Sequence, residues 1–141
     1  MCGASRRRGR AGLVVRIEVE RLIKQAERDL ENARKCLASE AYELAAFVSH
    51  QAVEKYLKAA WVVVKREAAP RTHSLTELAD GLGVAADLRT HFAYLNPDYT
   101  TAQYPDAANG VPYEVYDRAT AAAKLHAVEK VFPWLRQLTQ T

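Results

Sequence analysis

The sequence predicts an all-α protein: an antiparallel up-and-down four-helix bundle with short extra helices and a long tyrosine-rich loop before the last helix. Three observations carry this. Apolar residues recur at three- and four-residue spacing in three long segments, the period of a helix with one buried face. No stretch alternates apolar and polar residues long enough to make a convincing strand, and no internal repeat is visible. Between Asn96 and Pro112 stand three prolines and an Asn109-Gly110 turn, which separate the last helical segment from the others.

The elements follow in order. Met1 to Gly12 is Arg- and Gly-rich without apolar periodicity, so residues 1–16 are expected to form a basic, structureless tail ahead of a domain over residues 17–138. Leu22, Ala26, Leu30, Ala33 and Leu37 mark an amphipathic helix from about Ile17 to Ala38. Ser39 and Glu40 interrupt it, and a second long helix runs from about Ala41 to Lys65. Pro70 closes the connection that follows. Ser74 and Glu77 have the spacing of a capping box, in which the hydroxyl serves an orphan amide and the carboxylate reaches back. Gly81 and Gly83 stop that short helix, and Ala85 to Tyr94 forms another. Asn96 to Pro112 is expected to be loop. The last helix begins near Tyr113, with Ala121, Leu125, Val128, Phe132 and Leu135 on its apolar stripe, and Pro133 should end or kink it. The short pair completes the fourth side of the bundle.

One segment carries more than packing: His50-Gln51-Ala52-Val53-Glu54-Lys55-Tyr56-Leu57-Lys58. On a helix His50, Glu54 and Lys58 stack at i, i+4 and i+8, and Gln51 and Lys55 form a second pair beside them. Ala45, Ala52, Tyr56, Ala60 and Trp61 lie opposite, suited to burial. Such a face is either a polar site or a solvated surface with ordinary side-chain pairs. The string resembles the HQA-x-EK signature of the HEPN family, small helical domains named for higher eukaryotes and prokaryotes nucleotide-binding. Ala26, Asp29, Leu30 and Ala33, then Tyr42, Ala45 and Phe47, look like the family's first hairpin. Thr72-His73-Ser74-Leu75 with Leu78 is similar to its TH-S-L element. Tyr99 to Asp106 resembles its Y-x-x-x-RYPD loop, with Gln103 in place of Arg. Alanines from Ala119 to Ala127 complete the likeness, which spans about residues 17 to 138.

The resemblance implies a bundle fold, a homodimer and a protein partner of the minimal-nucleotidyltransferase type, in pairs that often behave as toxin–antitoxin modules. It implies a nucleotide site at His50, Gln51, Glu54, Lys55, His73, Tyr99, Gln103, Tyr104 and Asp106, and no cofactor. The residues add their own reasons. His73 could hold a phosphate at the start of a capped helix, or pack as the residue before the cap. Tyr94, Tyr99 and Tyr104 offer faces for a base, or pin the loop to the bundle. Gln103 keeps hydrogen bonding but lacks the planar cation that an arginine would bring to phosphate. Many HEPN proteins are metal-independent ribonucleases whose motif is an Arg and a later His with four to six residues between them. Here only Arg66 and His73 fit, with Pro70 inside the interval, and the motif belongs later in the bundle. The expected function is therefore a nucleotide-binding partner module. The alternatives are a ribonuclease with an atypical Arg–His pair, or a non-catalytic structural dimer.

Other features exclude classes. The net charge of +3 resides in the tail: Arg6, Arg7, Arg8 and Arg10 contribute four, leaving −1 for residues 13–141, so the domain is not a basic nucleic-acid binder. The tail could attract phosphate backbones, or be a dispensable extension. No apolar run approaches the ~20 residues of a membrane span, and no secretory leader is evident, so a cytoplasmic location is expected. Cys2 and Cys36 lack CxxC spacing and fit free thiols. His91 and His126 sit singly in helical patterns, and no paired-histidine motif supports a metal. Sequence leaves open a carboxylate pair of Glu54 with Glu129 or Asp106.

Overall fold

The structure, a computed structural model, describes residues 2–140, with side chains from Gly12 onward. Three long helices dominate: α1 (Cys2–Ala38), α2 (Tyr42–Lys65) and, last in the chain, α8 (Arg118–Thr139). Between them lie α3 (Leu75–Gly81), α4 (Ala86–Leu95) and three single turns, α5 (Asp98–Thr101), α6 (Pro105–Ala108) and α7 (Pro112–Val115). No strand occurs among the described residues.

Side-chain pairs fix the directions. Arg136 forks onto Glu27 at 2.8 and 2.9 Å, and Arg34 reaches Glu129 at 3.6 Å, so α8 runs antiparallel to α1. Residues 39–41 turn α2 back along α1, which makes α2 and α8 parallel. Phe92 packs edge-on to Trp134, and the Tyr94 carbonyl meets Lys124, so α4 opposes α8. The α3–α4 pair thus takes the place of a fourth long helix, and the topology is up-and-down.

The core gathers the predicted stripes. Ala26, Leu30 and Ala33 of α1 meet Val53, Tyr56 and Leu57 of α2 and Leu125, Val128, Phe132 and Leu135 of α8. Leu75, Leu78, Phe92 and Leu95 close the fourth side. Each large apolar side chain buried here contributes about 1.5–3 kcal/mol. Ala45, Ala46, Ala52, Ala59 and Ala60 are fully buried on α2, and their small size lets neighbouring elements approach the helix closely.

Several expectations need correction. The backbone is helical from Cys2, so α1 continues through the stretch expected to be structureless. Extending an existing helix costs far less than nucleating one, and arginine is a good helix former. Side chains of that stretch before Gly12 lie outside the described residues. The Asn96–Pro112 connection is not a plain loop. Pro105 and Pro112 each preset the first turn of a short helix, and Asn109 ends α6 with φ 53°. The last helix starts at Arg118, because Asp117 caps it by accepting from the Thr120 amide at 2.8 Å. Pro133 neither ends nor breaks it. That residue and Glu129, whose carbonyl loses a helical partner, are both exposed, so water can serve the freed group. The capping box is half formed. Ser74 accepts from the Glu77 amide at 3.3 Å, but the Ser74 amide donates to Thr72 Oγ1 at 3.0 Å instead of to Glu77.

Candidate functional site

The polar face of α2 turns inward. His50 is fully buried and Glu54 nearly so, because the turn before α3 and the α5 segment cover them. His50 Nε2 lies 3.0 Å from the carbonyl oxygen of His73, which can only accept, so Nε2 carries the proton and Nδ1 the lone pair. That Nδ1 has no hydrogen-bond partner and stands 4.0 Å from Glu54 Oε1. Burial lowers the His50 pKa to about 4, outweighing the attraction of Glu54, and the ring is neutral near pH 7.

Glu54 is the hub. Its Oε1 accepts from His73 Nδ1 at 2.8 Å and its Oε2 from Lys58 Nζ at 3.3 Å. With the His73 proton drawn to Nδ1, the neutral ring keeps its lone pair on Nε2. The His73 side chain is 52% exposed, so the ring lies at the surface while one nitrogen is anchored below. Tyr99 stacks on it with centroids 3.8 Å apart and planes 13° from parallel. The same tyrosine lies 5.6 Å from the His50 ring and 6.3 Å from Phe47. An anchored imidazole, an aromatic plate and an ammonium group therefore meet at one spot. Chemically the cluster can stack a planar group, bind an anion or accept a proton.

The other expected residues are dispersed. Lys55 turns to Asp29, 2.6 Å away, which also accepts from Gln25 at 2.8 Å; it pairs with α1 and not with Gln51. Gln51 is half-buried beside the cluster. Gln103 donates to the Tyr99 carbonyl, so it secures the loop that carries the plate. Tyr104 and Asp106 are exposed. Glu54 is buried, whereas Glu129, paired with Arg34, and Asp106 are both exposed.

A second buried network holds the loop and was not anticipated. Asp98 and Lys124 are almost fully buried and pair at 2.9 Å. Tyr116 donates to the other carboxylate oxygen of Asp98, and the Lys124 ammonium also meets the Tyr94 carbonyl and lies 3.7 Å from that ring's centre. Burial pushes the Asp98 carboxyl above the usual carboxylate range against the pull of Tyr116 and Lys124, and burial with Asp98 raises the Tyr116 phenol. A signal existed: Lys124 falls between Ala121 and Val128 on the apolar stripe, where a cation needs a buried acid. Asn96 was missed too. Its side chain accepts from the Leu75 amide at 2.7 Å and so ties the start of α3 to the end of α4. Because Asp98 precedes Tyr99, this network fixes the plate against His73.

Among the described residues no group of three or more His, Cys, Asp or Glu side chains could hold a metal ion, and no helix is long and apolar enough to cross a membrane. The bundle, with its histidine–glutamate–tyrosine cluster clasped between the second helix and the loops, defines a class of small helical domain. The chain belongs to the HEPN family: the HEPN domain model matches residues 19–138. Among solved structures it is similar to ST0689, an archaeal HEPN homologue, with 35% identity and a TM-score of 0.75 over 86% of this chain and 98% of that one. TT1696 from Thermus thermophilus shows 26% identity and a TM-score of 0.76 over 85% and 97% of the two chains. An HEPN domain protein from Thermotoga maritima, tm0613, supports the fold alone at 24% identity, with a TM-score of 0.65 over 84% and 96%. No curated protein sequence matches the chain.

Proposed function

We propose that this protein is a nucleotide-binding module that works as a homodimer with a minimal nucleotidyltransferase, in the manner of a toxin–antitoxin pair. The observation that carries the nucleotide reading is the His73–Tyr99 stack. One face of His73 is covered by Tyr99, while the exposed remainder of the ring offers a preordered surface for a base. Lys58, beside Glu54, supplies a cation for a phosphate. His50 and Glu54 act from beneath, holding the His73 backbone and ring, and the partner and dimer are what the family likeness suggests. Titration with nucleotides tests the site. His73→Ala should lower affinity about tenfold, since one base–aromatic stack is worth ~1–3 kcal/mol, and Tyr99→Ala should lower it less, by releasing the ring it holds. Affinity unchanged by both Tyr99→Ala and His73→Ala would refute the nucleotide site.

One observation favours a second reading, a metal-independent ribonuclease. A carboxylate at Nδ1 of a surface histidine is the arrangement that orients a general base, and Glu54 is so placed on His73. Arg66, its candidate partner, stands at the C-cap of α2. Cleavage of labelled RNA that persists in EDTA and vanishes in His73→Ala would establish that reading over the binding module.

A further inference from the structure

A cleft of about 600 Å³ opens on the other side of Lys58, between the α1 segment near Val15 and Leu22, the end of α2 and the turn that follows. Its volume falls in the range of small-molecule sites. The lining divides by chemistry. Leu22, Val62 and Pro70 are apolar, while Lys58, Arg66 and Arg71 are cationic. Two carboxylates, Glu18 and Glu67, also line it, so the site is not simply a positive patch. Neither Arg66 nor Arg71 forms an ion pair with those acids, or with any other acid among the described residues. Two exposed guanidinium groups therefore flank an apolar recess with their donors uncommitted.

The backbone places them there. Arg66 takes a left-handed conformation at the C-cap, φ 57° and ψ 37°, with its amide on the Val62 carbonyl. This turns the chain out of the helix within one residue. Residues 67–70 then form the rim, and the Thr72 amide closes onto the Pro70 carbonyl at 3.0 Å, which sets Arg71 beside the same opening. Lys58 shares the wall with them and contacts Glu54 Oε2 at 3.3 Å, so the cleft borders the His73 cluster without including His73 or Tyr99.

We propose that this cleft is a second binding site, for a small organic phosphate with an apolar body. Arg forks match the oxygens of a phosphate better than a single ammonium does, and a dianionic head can engage two of them. The apolar body would lie over Leu22, Val62 and Pro70, where water is poorly held. The site stands whether or not the His73–Tyr99 surface binds nucleotide.

The test uses the full chain and 1-naphthyl phosphate as probe, followed by methyl NMR of Val15, Leu22 and Val62. Saturable shifts at those methyls are expected. Replacing both arginines (Arg66→Gln with Arg71→Gln) should weaken binding about tenfold or more, as lost charge-assisted contacts do. Tyr99→Ala should leave it unchanged, which separates this site from the nucleotide surface. 1-Naphthol and inorganic phosphate, each carrying half of the recognised chemistry, should both bind far more weakly. The proposal is overturned if the methyl shifts do not saturate, if the double variant binds as tightly as the native chain, or if naphthol or inorganic phosphate alone matches the probe.

Discussion

Acid should destabilise this fold through a single buried ring. His50 has no exposed surface, and burial lowers its pKa from 6.5 to about 4. In the unfolded chain the ring takes up a proton below about 6.5, whereas the native ring stays neutral until about 4. Between those values the unfolded state binds more protons, so stability rises with pH across the window and falls as acid is added. The full contribution is present above 6.5 and has gone by about 4. The difference of about 2.5 pH units, at 1.36 kcal/mol each, gives about 3 kcal/mol, a large part of the stability of a small domain. Urea unfolding of the native chain and of His50→Gln at several pH values measures it. Glutamine can still donate to the His73 carbonyl, so the variant should fold, be weaker at pH 7, and lose most of the slope between pH 6.5 and 4. NMR should show the His50 ring untitrated above pH 5. Titration near 6.5, or an unchanged slope in the variant, would refute the reasoning.

Two further substitutions separate competing effects. Asp98→Ala leaves the Lys124 ammonium buried without its acid and should cost about 3–5 kcal/mol in denaturant unfolding. Tyr116→Phe keeps the ion pair and removes one hydrogen bond to a charged group, so its loss should be nearer 1.5–3 kcal/mol, roughly the usual value; equal losses would show that the stranded ammonium is not the main cost. Gly81→Ala should destabilise by about 1–3 kcal/mol although alanine favours helix, because its methyl would enter the space of the Trp61 ring. A rise in melting temperature would mean that the indole moves aside freely.

The long helices and the core stripe were legible because helical periodicity is local: Ala26, Leu30 and Ala33 announce their common face within eight residues. The meeting of His50, Glu54, His73 and Tyr99 was legible only through family likeness. Periodicity places His50, Glu54 and Lys58 in one row but does not say what covers the row, since the covering groups arrive from residues 71–74 and 98–101. The Asn96–Pro112 connection misled for a related reason. Its prolines break long helices, yet at the first position of a turn they favour short ones, and the Asp98–Lys124 pair then fixes the segment from the far side of the bundle.

That geometry also distinguishes support from contact within the family signature. His50 spends its proton on a backbone carbonyl, Glu54 accepts from both His73 and Lys58, and Lys55 is committed to Asp29. Apart from Lys58, little in the row is left to face a ligand directly. Its residues fix instead the angle and tautomer of His73 and the plane of Tyr99, which do reach the surface. If the proposed nucleotide site holds, a substitution at Glu54 should act on binding through the ordering of His73, and one at His73 through direct contact. Glu54→Ala tests this: it removes the acceptor for Nδ1, so the His73 ring should lose its fixed orientation in NMR while the bundle's helical content stays intact. A ring that keeps its orientation in Glu54→Ala would show that the Tyr99 stack holds it without the carboxylate.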